Sequence, residues 1–417
     1  MQKDIKTVYS AFAVSRTGNR GAVSMLESAI DYLTTDECGG IVNVFTVYPE
    51  EDKKLPPTPN VNIYKGTPAN LVFKIIPLCI LYRIIGFLLP KSIWGREMKA
   101  LIETDVCLLI GGTTFSDAQI FKVIYNVACV LPTIILGKKS IMYSQTIGPF
   151  KKTFNRICGK FCLSKVSFVV PRGEGSFKNV KELGIEQCEY FTDSAFTLVV
   201  HDEIKNRIKE KYINLSPDKK IVGISINSIV ERKCVKANIR HNEIWANFIQ
   251  YLQDEGYFVL LVPHSIRPNA KSTHNNDLLT IADILKYLPS QNNLFIIDDP
   301  YDCKELRVVV GLADYYVASR FHSMISALCT NTPVLVFGWG FQKYKEVMSE
   351  FNLEEYCFDA VDLSKEALIK GFKQIISDSE SIKKRMKENL PAVQESSMKN
   401  HKEAARLGDE AKKHAAK

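Results

Sequence analysis

The segment Ser319-Arg320-Phe321-His322-Ser323 brings a guanidinium, an imidazole and a hydroxyl into five residues. Arg320 supplies a planar fork for a carboxylate or phosphate. His322 can give or take a proton near neutral pH. Ser323 stands where a hydroxyl caps a helix start, whose amides favour an anion. His264, in the run VPHS, and Lys343, after Gly338-Trp339-Gly340, add two more cationic groups. His264, Arg320, His322 and Lys343 together describe a pocket for a small substrate that carries both carboxylate and phosphate. A lone His is usually structural. One beside an Arg, on a loop that opens an apolar helix, stands above that base rate.

A second set lies in the first half of the chain. Gly111-Gly112-Thr113-Thr114 follows an apolar run. Two glycines let the backbone approach a ligand, and the amides and hydroxyls after them can donate hydrogen bonds. The pattern is neither a GxGxxG fingerprint nor a P-loop. A tight strand-to-helix turn explains it equally well. Asp117 suits contact with a sugar hydroxyl or a role as base, or it is a carboxylate in a helix's first turn. In YSQTIGPF, Ser144, Gln145 and Thr146 are short polar groups able to recognise hydroxyls; a Gly-Pro turn is the plainer reading. Arg172 ends VVPR and precedes Gly173-Glu174-Gly175-Ser176, a place suited to an anion. Pairing with Glu174 on the surface is its ordinary alternative.

These residues need strand ends to hold them. Apolar runs at 7–14, 40–48, 106–110, 140–144 and 168–171 predict strands. A second series follows at 221–226, 258–263, 294–297, 315–318 and 334–337, the last of these predicted as the final strand. Helical spacing lies between them, at 21–33, 244–253, 306–311 and 324–329. Short apolar strands alternating with helices indicate buried parallel sheets built from βαβ units. The expected fold is therefore α/β, with two doubly wound Rossmann-like domains. Ligands of such sheets sit beyond the carboxyl ends of the strands. The polar stretch 202–220 reads as the linker. Domains are expected at 1–200 and 201–375, followed by a charged, solvated helical tail at 376–417.

Length and composition set the outer limits. The chain has 417 residues, enough for two or three domains. With 46% hydrophobic and 24% charged residues it is an ordinary globular protein, which excludes disorder and a disulfide miniprotein. The net charge of +8 is mild; it suits an anionic ligand or a membrane surface, and a slightly basic soluble protein is the plainer reading. The basic residues form no aromatic–basic stripe, so nucleic acid is not expected. The first residues are polar, with no signal-type apolar core. The eleven cysteines are scattered without a CxxC pair, so reduced thiols, no metal and a cytoplasmic location are expected. Residues 71–90 are strongly apolar, but Lys74, Pro77 and Arg83 interrupt them. No clean span of 18 apolar residues survives. Lys91, Arg96 and Lys99 follow, so 71–99 reads either as a buried helix pair or as an apolar and basic surface for a membrane interface.

The motifs resemble those of the polysaccharide pyruvyl transferase family. The matching pieces are TGNRGA, LLIGGTTFSD, YSQTIGPF, VVPRGEGS, DSAF, VPHS and SRFHSMISALCTNTPVLVFGWGFQKY, in family order over about residues 5–350. The RFH block is the specific part. One departure is Gly21-Ala22, where many relatives carry Gly-Asp; Asn19 and Arg20 remain beside it. The resemblance implies a GT-B-type fold of two domains with a central cleft, an acceptor domain first and a donor domain second. It implies phosphoenolpyruvate as donor substrate, with no cofactor or metal. The acceptor would be a saccharide, expected to be polyprenyl-linked, and the product a pyruvate ketal of a capsule or other cell-surface polysaccharide. Arg320 and His322 would serve donor binding and catalysis, with His264 or Asp117 as base. Arg172, Lys343, Ser323, Gly111, Gly112, Thr113, Gln145 and Asn19 would bind substrate. The expected location is the cytoplasm, at the inner face of the membrane through peripheral contact. Two rivals stand beside this: a GT-B-type nucleotide-sugar glycosyltransferase or epimerase, and a scaffold protein without catalysis. Oligomeric state is not written in these motifs.

Overall fold

The protein, described from a computed structural model over residues 6–117, 120–267 and 276–415, divides into two compact units. Unit 1 comprises Met1–Thr17, Met25–Thr197 and Glu395–Lys417; unit 2 comprises Gly18–Ser24 and Leu198–Gln394. The main division falls after Thr197. Two exchanges were not legible in the sequence: residues 18–24 group with the second unit and the C-terminal residues with the first.

Unit 1 carries β1 (Val8–Val14), β2 (Ile41–Thr46), β3 (Val61–Lys65), β4 (Val106–Leu109), β5 (Thr113–Thr114), β6 (Lys139–Ile147) and β7 (Phe168–Pro171). The order is β3-β2-β1-β4-β6, with β7 and the two-residue β5 both on β6. Every pairing is parallel. All four residues of β4, Val-Cys-Leu-Leu, are buried, which explains why it reads as a continuous apolar run.

Unit 2 repeats the plan. It carries β8 (Ile221–Ser225), β9 (Phe258–Leu261), β10 (Leu294–Ile296), β11 (Tyr315–Ala318), β12 (Val334–Gly338) and β13 (Cys357–Asp359). Their order is β10-β9-β8-β11-β12-β13, again all parallel. Numbered within the unit this is 3-2-1-4-5-6, the Rossmann order, and the strand order reverses between β8 and β11. The expected α/β class holds for both units.

Three element-level expectations are corrected. The final strand is β13, not residues 334–337; at three residues it is too short to show periodicity. The stretch 202–220 is not a plain linker, because Asp202–Lys211 is a helix with acids in its first turn and lysines in its last. The charged tail is not a solvated helix. It belongs to a helix of 37 residues, Ser379–Ala415. Within unit 1 that helix seals Ser397, Asn400, His401 and Ala404 completely. Asn400 donates to the Thr192 carbonyl at 3.0 Å, and Ser397 donates to the Asp193 carbonyl at 2.8 Å.

The apolar stretch resolves into one helical run rather than a pair. A short helix Pro68–Asn70 leads through a wide turn into Ile76–Ile85 and a final tight turn to Leu88. Pro68–Leu88 runs for 21 residues and holds an 18-residue window of mean hydropathy 2.1, long and apolar enough to cross a membrane by composition. Leu71, Ile75 and Cys79, spaced i, i+4, i+8, are fully buried in unit 1.

Candidate active site

The side chains of unit 2 gather where β8 and β11 part. The loop after β11 runs Ser319-Arg320 and enters the helix Phe321–Cys329. Asn227, after β8, donates to the Ser319 carbonyl at 2.9 Å, and the Tyr344 hydroxyl donates to the same oxygen at 3.2 Å. This fixes the point from which Arg320, Phe321 and His322 project.

Arg320 does not offer its fork to solvent. Its Nε donates to Asp277 Oδ2 at 3.0 Å and its Nη2 to Asp277 Oδ1, both groups buried. Asp277 also accepts from the backbone N–H of His264 (3.1 Å), Ser265 (2.9 Å) and Ser228 (3.3 Å). One buried carboxylate therefore ties three loops together, with a charge-assisted pair at its centre. This corrects the expectation that the Arg320 fork holds donor phosphate: its bidentate face is already occupied. Asp277 itself was missed. It sits at the start of the helix Asp277–Leu285, and nothing local marks it as a hub.

His264 comes to this site through the Asp277 bonds. Its Nδ1 lies 3.1 Å from the Val262 carbonyl, to which it donates. That bond fixes the tautomer and leaves the Nε2 lone pair bare. Nε2 is buried without a hydrogen-bond partner among the described residues. Burial pushes the imidazole down to about 4, so the ring is neutral.

The motif TGNRGA meets these loops. Arg20 N donates to the His264 carbonyl at 3.0 Å and Ile266 N to the Gly18 carbonyl at 3.1 Å. Asn19 Oδ1 accepts from Gly21 N at 3.2 Å, capping the helix Arg20–Leu33. The Arg20 side chain donates to the carbonyls of Tyr301 (3.0 Å), Gly18 (2.9 Å) and Ile266 (3.2 Å). Gly21 lies against His322: a Cβ there would stand 2.8 Å from its Cγ and 2.9 Å from its Cβ. A small cleft results, lined by Arg20, Gly21, Ser24, His264, His322 and Ser326 among others. Arg20, one position from the expected Asn19, is the lining residue. Asn19 faces solvent and serves the helix cap.

Lys343 is brought to the same motif. It lies on the helix Phe341–Ser349, after Gly340 at a φ of 74°. Its ammonium stands 5.6 Å from the Phe321 ring centre and 5.2 Å from that of Tyr344. Phe321 meets His322 edge-on at 5.2 Å. Ser323 behaves differently from expectation. The helix start has no side-chain cap. The Ser323 hydroxyl is buried, 2.6 Å from Ser225 Oγ, and donates to the Arg320 carbonyl at 2.8 Å.

The unit 1 candidates form a separate group. Arg172 is neither exposed nor paired with Glu174. It is buried, pairs with Asp193, and donates to the Gly112 carbonyl at 2.6 Å and Thr146 Oγ1 at 3.0 Å. An Arg beyond a strand end, locked to a buried Asp, thus occurs in both units. Gln145 accepts from Thr114 Oγ1 at 2.5 Å and donates to the Leu109 carbonyl, pinning β4, β5 and β6 together instead of facing a sugar. Gly111 is buried beside Thr114, and Gly112 lies beside Arg172. Thr113, in β5, is half-buried. Asp117 accepts from the backbone N–H of Lys151 (2.6 Å) and Lys152 (3.3 Å) and from Asn155 Nδ2 (2.8 Å). Its carboxylate staples the entry to the helix Thr153–Leu163. Among the described residues no three His, Cys, Asp or Glu side chains gather as a metal would require.

Two Rossmann-like units of this strand order define the GT-B class of fold, and solved structures agree. The chain is similar to the UDP-GlcNAc 2-epimerase from Neisseria meningitidis bound to UDP-GlcNAc, with a TM-score of 0.59 at 12% identity, over 94% of this chain and 97% of that one. S. aureus MnaA with UDP gives 0.56 at 14%, covering 92% and 91%. Sucrose-phosphate synthase from Thermosynechococcus elongatus gives 0.57 at 12%, covering 99% and 100%. At such identities the likeness is one of fold. The sequence pattern of the polysaccharide pyruvyl transferase family matches residues 19–340, and the chain belongs to that family. This makes it a transferase of a family whose acceptors are saccharides.

Proposed function

We propose that the protein transfers the enolpyruvyl group of phosphoenolpyruvate to a saccharide and closes it into a pyruvate ketal, and that the unit 2 cleft takes the donor. The observation that carries the reading is the pairing of His322 with a neutral His264 on one small cleft beside Arg20. Two helices, Arg20–Leu33 and Phe321–Cys329, begin there, and the positive ends of their dipoles add to the attraction for an anion.

The chemistry needs an acid and a base. His322 donates a proton to the methylene carbon of the donor, which makes C2 electrophilic. A sugar hydroxyl bonds to C2 and its proton passes to His264 Nε2. The bond from C2 to the phosphate oxygen then breaks and inorganic phosphate leaves. A second hydroxyl of the sugar bonds to C2 and loses its proton, closing the ring. Arg20 and Lys343 supply positive charge for carboxylate and phosphate. Arg320 acts at one remove: through Asp277 it holds the His264 and Ser228 loops. The donor's negative charge raises the His264 value towards the working range.

The acceptor we propose is lipid-linked, and the working place is the cytoplasmic face of the membrane in capsule or related polymer synthesis. The test is phosphate release from phosphoenolpyruvate with a panel of aryl and polyprenyl-linked glycosides, the product weighed for an added pyruvyl ketal. Release that needs acceptor and is lost in His322→Gln supports the reading. Stabilisation by UDP or a UDP-sugar, with none by phosphoenolpyruvate, overturns it in favour of a nucleotide-sugar enzyme.

A further inference from the structure

Three neighbouring helices of unit 1 turn apolar side chains outwards. They are Ile76–Ile85 with its flanking turns, Ile120–Leu136 and Thr153–Leu163; the first packs on the second and the second on the third. Phe73 is 82% exposed, Phe87 82%, Phe121 83% and Ile157 64%. Ile84, Leu88, Ile93, Ile124, Phe154 and Phe161 are exposed beside them. Their spacing is helical: 73, 80, 84 and 87 form one stripe, 121 and 124 another, 154, 157 and 161 a third. A soluble surface rarely gathers this much apolar area on adjoining elements.

Charge gathers at the same place. Residues 68–165 hold thirteen Lys and Arg against four Asp and Glu, an excess of nine where the whole chain has an excess of eight. The acids are mostly engaged. Glu97 pairs with Lys74, Asp105 accepts from Val8 N, and Asp117 staples the loop before the third helix. Arg83, Lys91, Arg156 and Lys160 are exposed around the apolar stripes. Apolar side chains ringed by long basic ones match the interface of an anionic bilayer, where rings enter the acyl boundary and ammonium groups stay with the phosphates.

We propose that these three helices form a docking surface for a bilayer carrying anionic head groups. The surface lies on the membrane and does not cross it. Leu71, Ile75 and Cys79 are sealed into unit 1, so Pro68–Leu88 cannot leave without opening the core. The proposal extends the membrane contact expected at 71–99 to two helices that the sequence did not mark. It deepens the reading of a lipid-linked acceptor, yet its test needs no catalysis.

Full-length protein is floated with vesicles of phosphatidylcholine alone and of phosphatidylcholine mixed with phosphatidylglycerol, without donor or acceptor. Binding to the mixed vesicles is expected, weakened by salt. Phe73→Ser with Phe87→Ser, and separately Phe121→Ser with Ile157→Ser, should each lower the bound fraction. Arg83→Glu with Arg156→Glu should lower it about tenfold or more. All three variants change exposed side chains, so unchanged thermal melting shows that they fold. Absence of flotation with anionic vesicles overturns the proposal. So does binding indifferent to the Phe121 and Ile157 changes. Self-association without lipid, abolished by the same substitutions, overturns it in favour of a second copy. A protein that releases phosphate on a soluble aryl glycoside but does not float separates this failure from failure of the proposed reaction.

Discussion

Gly21 has no room for a side chain because His322 occupies it. Gly21→Ala must push the imidazole aside or shift the loop, and overpacking of this kind costs about 1–3 kcal/mol. Displacing a catalytic group by about 1 Å costs on the order of 100-fold in rate. We therefore expect phosphate release to fall about 100-fold in Gly21→Ala, with a melting temperature only modestly lower. Wild-type turnover in that variant would mean that His322 takes no part. Arg320 belongs to a different class of residue. Arg320→Ala strands a buried Asp277, and breaking a buried pair costs about 3–5 kcal/mol. Urea denaturation should show this loss with no ligand present. An unchanged denaturation midpoint would contradict the role assigned here, in which Arg320 positions other groups.

The C-terminal helix acts on unit 1 through His401. Its Nε2 lies 2.6 Å from Thr197 Oγ1, its Nδ1 meets the Tyr143 hydroxyl, and its ring stacks on Tyr32 at 5.4 Å. Burial pushes it down to about 3. His264 is lowered to about 4 in unit 2. When unfolded, both histidines take a proton near their ordinary value of about 6.5. Below that pH the unfolded chain binds more protons than the folded one. Stability is thus full above pH 6.5 and is lost as pH falls through the two folded values. His264 contributes about 3 kcal/mol and His401 about 5 kcal/mol to that loss. His401→Gln should flatten the acid limb of a stability-versus-pH curve. It should also cost about 2 kcal/mol at neutral pH through orphaned partners. A curve of unchanged slope would show that His401 charges without cost.

At the scale of the whole molecule, a ligand that binds only the folded state stabilises it by about 2.7 kcal/mol at a hundred times its dissociation constant. Phosphoenolpyruvate should deliver that stabilisation locally. Hydrogen exchange should slow in peptides covering residues 18–24, 262–267 and 319–326. Peptides of the C-terminal helix around His401 should not change. Protection spread evenly, or confined to unit 1, would move the donor away from the cleft of unit 2. The same division explains why residues far apart in sequence share one site. Residues 18–24 group with unit 2 although most of that unit begins only at Leu198, and they carry Gly21 and Arg20 to the His264 loop.

The sequence by itself determined the elements and the chemistry at their ends. Runs such as Phe168–Pro171 and Tyr315–Ala318 were legible to the residue, because a strand buried on both faces must be apolar throughout. Alternation with helices determined the parallel sheets. His264, His322 and Lys343 could be picked out because strand-end loops are where a doubly wound sheet presents ligand-binding groups. Only the tertiary structure decided what each charged group is used for. Arg320 and Arg172 look identical to anion-binding arginines in sequence, but each is held by an aspartate 43 or 21 positions away. Asp117 and Gln145 are likewise engaged with backbone and side-chain groups that local spacing cannot reveal. The charged helix after Ser379 looked solvated, and it is sealed where His401 and Asn400 find partners. Local sequence fixes backbone propensity and the direction of an apolar face. The pairing of buried polar groups depends on which distant groups the fold brings within hydrogen-bond reach, and short-range periodicity holds no record of that.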